Sequence, residues 1–286
     1  KSDYKMFRIL QGDVGSGKTI VSFIAACNVI ESHYQAVMMA PTEILAKQHF
    51  NLAKEIFASS KINIELLTGK TSSNEKKNIH KNLLQGKIDL IIGTHALFQK
   101  NIKFKNLGLV IIDEQHKFGV KQRIELSNKG KSECDILLMS ATPIPRTLVM
   151  TVYGDMDISK INEKPKNRKE IITLSKPEEK LDEILLYVKK QIEDGNQIFW
   201  VCPLIEESKK LNYSAAIKKY NFLSNKFKDQ VGLIHGSLDK DDKNNVLHNF
   251  LRKKINILVS TTVIEVGIDF PNANIIIIEN SNKFGL

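Results

Sequence analysis

Residues 7–19 read Phe7-Arg8-Ile9-Leu10-Gln11-Gly12-Asp13-Val14-Gly15-Ser16-Gly17-Lys18-Thr19. Residues 7–11 are strand-like and a helical pattern runs over 18–33. Gly12 to Thr19 therefore fit G-x-x-x-x-G-K-[ST] in the strand-to-helix setting that a phosphate-binding loop requires. The glycines let successive backbone N–H groups turn inward on phosphate oxygens, and the helix N-terminus adds a favourable dipole. In such a loop Lys18 reaches the β- and γ-phosphates and Thr19 ligates Mg²⁺, so ATP with Mg²⁺ is the expected ligand.

Outward from this loop, short apolar runs alternate with helical patterns. Strands are expected over 7–11, 36–40, 62–67, 90–93, 109–113 and 136–140, then over 171–174, 197–202, 231–234, 255–260 and 275–279. Most are apolar throughout rather than alternating, as strands buried on both faces of a parallel sheet are. Helices are expected over 18–33, 43–58, 74–85, 178–193, 215–228 and 240–251. Thr42 and Pro177 serve as starts, and Gly86 and Gly195 as stops. The fold class is α/β with mainly parallel sheets and right-handed crossovers. A polar break at 155–167, holding Pro165, predicts a first lobe over 1–155, a linker over 156–168 and a second lobe over 169–286. Residues 206–214, polar and Lys-rich, read as an exposed loop, and no internal sequence repeat is evident.

The 286 residues suit two domains of roughly 100–200 residues each. No apolar run approaches the roughly 18 residues of a membrane span, so no membrane association is expected. Cys27, Cys134 and Cys202 are far apart and form no CxxC pair, which argues against a disulfide framework or zinc site and for a reducing, cytoplasmic setting. The net charge is +10, with 21 basic and 14 acidic residues in 1–155 against 21 and 18 in 156–286. That balance permits a polyanionic partner without requiring one.

Two further strand ends carry chemistry. The run Leu109-Val110-Ile111-Ile112 leads into Asp113-Glu114-Gln115-His116, delivering carboxylates to the sheet edge that also holds the phosphate loop. Asp-Glu after a strand is often only a capped turn. Beside a phosphate loop, Asp113 suits the Mg²⁺ shell and Glu114 the attacking water, with Gln115 and His116 sensing the γ-phosphate. Ser140-Ala141-Thr142 ends another strand, where small hydroxyls can relay nucleotide state by hydrogen bonds.

The ordered set resembles the first motor lobe of superfamily 2 helicases: the phosphate loop, Ala40-Pro41-Thr42-Glu43, Gly93-Thr94-His95-Ala96-Leu97, Asp113-Glu114-Gln115-His116, then Ser140-Ala141-Thr142. The longer runs Asp113-Glu114-Gln115-His116-Lys117-Phe118-Gly119-Val120 and Trp200-Val201-Cys202-Pro203-Leu204-Ile205-Glu206-Glu207-Ser208 resemble the RecG family of bacterial ATP-dependent DNA helicases. So does Thr261-Thr262-Val263-Ile264-Glu265-Val266-Gly267-Ile268-Asp269-Phe270-Pro271-Asn272-Ala273. The resemblance implies two RecA-like lobes, the second incomplete. It implies that Pro41, Thr42, Gly93, Thr94, Thr261 and Thr262 touch the DNA backbone, and that Gly267 and Asp269 face nucleotide. Backbone contacts position a strand without reading its sequence. It further implies remodelling of branched DNA, such as forks and Holliday junctions, by a monomer. The motor of a transcription-repair coupling factor shares several of these runs, and a non-catalytic nucleotide- or DNA-binding product is the alternative of another class.

Departures accompany the resemblance. Lys117 and Ser237 stand where the family usually has Arg. Both ends of the chain look trimmed: the resemblance implies a segment before the phosphate loop that recognises adenine, and a DNA wedge, both expected to lie outside these 286 residues. The chain also stops before the motif that supplies arginines to the ATP site. An arginine finger is worth about 10³–10⁵ in rate. Arg168 and Arg252, the two arginines of 156–286, are poorly placed for that task, so slow hydrolysis and no unwinding are expected of these 286 residues.

Overall fold

The computed structural model describes residues 5–99, 102–114, 134–142, 156–163, 170–202, 209–261 and 270–281. The chain divides into two compact units, Lys1–Glu170 and Ile171–Leu286. No helix among the described residues is long and apolar enough to cross a membrane.

Among the described residues the first unit has seven strands: β1 (Phe7–Gly12), β2 (Gln35–Met39), β3 (Ile64–Leu67), β4 (Leu90–Gly93), β5 (Leu107–Ile112), β6 (Asp135–Ser140) and β7 (Asp157–Ile161). All pair in parallel, in the order β3-β4-β2-β5-β6-β1-β7. The apolar runs are central strands whose successive side chains point to opposite faces. Val37, Ile91, Val110 and Leu138 pack on one face with Ile79 and Leu83 of α3 (Ser73–Gln85). Met38, Ile92, Ile111 and Leu137 pack on the other with Phe23 and Ala26 of α1 (Lys18–Glu31) and Ala53 of α2 (Glu43–Ile56). Helix starts follow local chemistry. Thr42 Oγ1 accepts from Leu45 N, and Ser72 and Glu75 form a reciprocal capping box.

The second unit holds β8 (Gln197–Val201), β9 (Val231–Ile234), β10 (Ile257–Ser260) and β11 (Ala273–Ile278), parallel in the order β11-β8-β10-β9. Its helices are α4 (Leu181–Glu193), α5 (Lys209–Phe227) and α6 (Lys240–Leu251). Leu185, Val188, Trp200, Leu223 and Val259 form one core face. Phe199, Phe250 and Phe270 cluster at centroid distances of 5.2–5.4 Å.

Three sequence expectations differ from the structure. Asp157–Ile161, read as linker, is edge strand β7. Its two isoleucines lie on opposite faces, Ile158 against one core cluster and Ile161 against the other, among polar residues that suit an edge, and Arg8 ties it to β1 through Asp157 (2.8 Å) and Ser159 (2.7 Å). Residues 171–174, read as a strand, pair with none among the described residues, and Ile171, Ile172 and Leu174 are each more than 70% exposed. An apolar pattern makes a strand only where a ladder partner accepts it. The loop expected over 206–214 is helical from Lys209, the start of α5.

Candidate active site

Because every strand of the first unit runs the same way, the ends of β1, β2, β4, β5 and β6 meet at one sheet edge. Ladder bonds continue past the strands and fix the first residues beyond each strand end. Ala40 N donates to Gly93 O (2.9 Å), Asp113 N to Met39 O (2.9 Å) and Thr94 N to Leu67 O (3.2 Å). Gly93 has no room for a side chain, since a Cβ there would collide with the Leu67 carbonyl.

At the end of β1 the loop turns through Gly17 at φ +92°, a left-handed conformation that suits glycine, directly into α1. Val14 and Gly15 are exposed, whereas Lys18 is 9% exposed. Lys18 Nζ donates to the carbonyls of Gly12 (2.8 Å) and Asp13 (2.9 Å). Burial lowers the pKa of this amine, partly offset by the charges of Asp113, Glu114 and Asp13. Ser16 Oγ is buried with no hydrogen-bond partner among the described residues. A cation held on carbonyls beside an unused buried hydroxyl fits an incoming phosphate.

Asp113 and Glu114 follow β5 and are buried, at 6% and 3% exposure. Asp113 Oδ1 accepts from Glu114 N (2.9 Å), and Glu114 takes φ +47°, unusual for a residue with a Cβ. Asp113 Oδ2 lies 2.8 Å from His49 Nε2. Among the described residues no cluster of three His, Cys, Asp or Glu side chains could enclose a metal. Mg²⁺ commonly binds through one or two protein groups and completes its shell with phosphate oxygens and water. Thr19 and Asp113 are the residues that would hold it.

Ser140, fully buried at the end of β6, accepts from Thr142 N (3.2 Å) and shares a 3.1 Å bond with Thr142 Oγ1, with Ala141 spanning the turn between them. Gln11 Nε2 reaches Thr142 O (3.3 Å), joining this turn to the residue before the phosphate loop. Pro41 and Thr42 are half-buried beside the more deeply buried Gly93 and Thr94. In the second unit Thr261 follows β10 at 4% exposure. Gln115, His116, Thr262, Gly267 and Asp269 lie outside the described residues. Burial pushes the thiols of Cys134 and Cys202 up to about 12, which removes both from nucleophilic chemistry at neutral pH.

His49 is the site residue that sequence reasoning passed over. Its signal was present: Leu45, Ala46, His49 and Ala53 form the buried stripe of α2, and His49 is the polar member of an apolar series.

A phosphate loop beside an Asp-Glu strand end on a parallel sheet defines a P-loop nucleotide-binding lobe. Residues 5–151 match the DEAD/DEAH box helicase family and residues 176–283 the helicase conserved C-terminal domain, so the chain belongs to the DEAD/DEAH box helicases. It is 49% identical to the ATP-dependent DNA helicase RecG of Thermotoga maritima, covering all of this chain and 37% of that protein. It is likewise 49% identical to RecG of Bacillus subtilis, covering all of this chain and 42% of that one. A solved structure of RecG bound to a three-way DNA junction superposes with a TM-score of 0.84 at 45% identity, over 99% of this chain and 37% of that one. The resemblance to RecG read from the motifs, and the expectation of two RecA-like α/β lobes, are borne out. The chain spans about two fifths of the length of these curated relatives.

Proposed function

We propose that this chain forms the ATP-driven motor of a DNA helicase of the RecG kind, acting as a cytoplasmic monomer on branched DNA such as forks and Holliday junctions. The supporting observation is the gathering of Lys18, Asp113-Glu114 and Ser140-Ala141-Thr142 at one parallel-sheet edge, in a chain nearly half identical to RecG. Lys18 exchanges its carbonyl partners for terminal phosphates of ATP. Thr19 and Asp113 would hold Mg²⁺, which would supply charge neutralisation on those phosphates. Glu114 orients the attacking water and takes its proton, with Gln115 and His116 reading the γ-phosphate. The Ser140–Thr142 turn, joined to Gln11, follows the state of the loop. Pro41, Thr42, Gly93, Thr94, Thr261 and Thr262 hold the DNA backbone, and Gly267 and Asp269 contribute to nucleotide binding.

The RecG relatives favour this reading over the motor of a transcription-repair coupling factor. The test is fluorescence anisotropy with a labelled three-way junction, with and without Mg²⁺ and a non-hydrolysable ATP analogue. Binding should weaken steeply with salt, with a log–log slope reporting about 3–6 phosphate contacts. The analogue should change the junction affinity, because nucleotide and DNA sites coupled in one motor influence each other reciprocally. Salt-independent affinity, strong preference for one base sequence, or indifference to the analogue would overturn the proposal.

A further inference from the structure

The contact between His49 and Asp113 joins residues 64 positions apart, and both side chains are less than a tenth exposed (7% and 9%). It is a costly arrangement for the fold alone. The neighbours of His49 on the buried face of α2 are Ile44, Leu45, Ala46 and Ala53. A leucine-sized side chain among them would bury its surface without a polar group to satisfy. The imidazole instead meets its need through one specific atom, the carboxylate oxygen Oδ2. The other oxygen accepts the Glu114 amide, and the Asp113 amide is itself held on Met39 O. A carboxylate offers about four acceptor positions, so these two bonds fix its orientation and still leave lone pairs unused.

The phosphate loop lies within electrostatic reach of this fixed carboxylate. The Lys18 amine feels the charges of both Asp113 and Glu114. A carboxylate so close to a lysine could swing to pair with it. Lys18 instead remains on the Gly12 and Asp13 carbonyls, at 2.8 and 2.9 Å, and Asp113 remains on His49.

We infer that His49 is a positioning residue for Asp113. Its Nε2–H holds the carboxylate in the orientation that receives Mg²⁺ and keeps it from collapsing onto Lys18. The inference rests on the reading of Asp113 as the metal-holding residue of the proposed function. It assigns to α2, the helix that opens at Thr42, a direct part in the metal site. Partners of this kind commonly account for about 10–100-fold in metal affinity.

The test uses the whole chain, with Mn²⁺ as the probe and ADP present, reading free Mn²⁺ by electron paramagnetic resonance. His49→Ala should weaken Mn²⁺ by about 10–100-fold while leaving metal-free ADP affinity unchanged. His49→Gln, whose amide N–H can stand where Nε2 stands, should recover most of the loss. His49→Asn, polar but too short to reach Oδ2, should behave as the alanine variant does, and serves if that variant does not fold. Melting temperatures accompany each variant. Unchanged Mn²⁺ affinity in the alanine and asparagine variants would overturn the inference, as would equal losses in the glutamine and asparagine variants. Asp113→Asn separates the two readings. If it leaves Mn²⁺ binding intact, the metal assignment itself fails. If it abolishes binding while the His49 variants do not, only the inference about His49 fails.

Discussion

The two units share a four-strand frame and differ in the chemistry at its edge. The order β3-β4-β2-β5 of the first matches β9-β10-β8-β11 of the second. Each frame opens on a buried glutamine. Gln35 Nε2 donates to Leu83 O (3.1 Å) and Ile88 O (2.7 Å), and Gln197 Nε2 to Phe250 O (2.7 Å) and Ile255 O (2.9 Å). In both, the amide binds the last turn of a helix and the approach to the next strand. The far ends match as well. Ala40 N meets Gly93 O as Cys202 N meets Ser260 O, and Asp113 N meets Met39 O as Glu279 N meets Val201 O. Each frame therefore ends on an acid met by a side chain of the helix that comes after the central strand: His49 on α2 for Asp113, Lys219 on α5 for Glu279.

The environments of the two acids then diverge. Glu279 is occupied on both oxygens, with Oε1 taking Lys219 (2.6 Å) and Trp200 Nε1 (2.9 Å) and Oε2 facing Cys202 Sγ (3.7 Å). Lys219 also stands over the Trp200 and Phe222 rings. Asp113 meets one imidazole N–H and one backbone amide, beside a phosphate loop. The same position is thus a structural clamp in one unit and, in the function proposed above, a metal ligand in the other. An imidazole and a backbone amide leave room for a metal where a lysine and an indole leave little.

The largest effect that would sharpen this comparison concerns the shared frame. Gln35 also accepts from Lys105 N (2.9 Å) and Asn106 N (3.1 Å), so Gln35→Ala strands four backbone groups. Urea unfolding should show a loss of about 3 kcal/mol or more for Gln35→Ala and about 1–3 kcal/mol for Gln197→Ala. A larger loss in the second unit would break the parallel. Next, Glu279→Gln should lower stability by about 1–3 kcal/mol, the cost of weakening charge-assisted bonds, and leave Mg·ATP affinity as it was. A change in that affinity without a change in melting would place the acid of the second unit in the ligand role. The smallest effect is at Glu114. Its left-handed backbone stores on the order of 1 kcal/mol, so Glu114→Gly should melt no lower than the parent while ATP hydrolysis declines. A clear drop in melting temperature would show that the buried carboxylate stabilises the fold.

Legibility in the sequence depends on how each feature is encoded. The phosphate loop was legible because backbone geometry demands its glycines at fixed spacing. The central strands were legible because burial on both faces makes them continuously apolar. Edge strand β7 was hidden by its polar composition and lack of a period-2 pattern, and the helix from Lys209 by a Lys-rich composition that suits a solvated loop as well. The contacts of His49 and of the two glutamines depend on long-range register, with the Gln35 amide reaching residues 48 and 53 positions away. No local pattern reports that register. The shared frame left no sequence repeat for the same reason, since it is carried by backbone bonds to which many side chains are indifferent.

The central claim is that the first unit binds a nucleoside triphosphate through the loop that follows β1. Calorimetry of Mg·ATP and AMP against the chain and its Lys18→Ala variant tests it most directly. The expected result is one Mg·ATP site per chain, weakened about 10–100-fold by Lys18→Ala through loss of charge-assisted bonds to the terminal phosphates, with AMP affinity scarcely moved. Equal losses for both nucleotides, or Mg·ATP binding indifferent to Lys18, would contradict it.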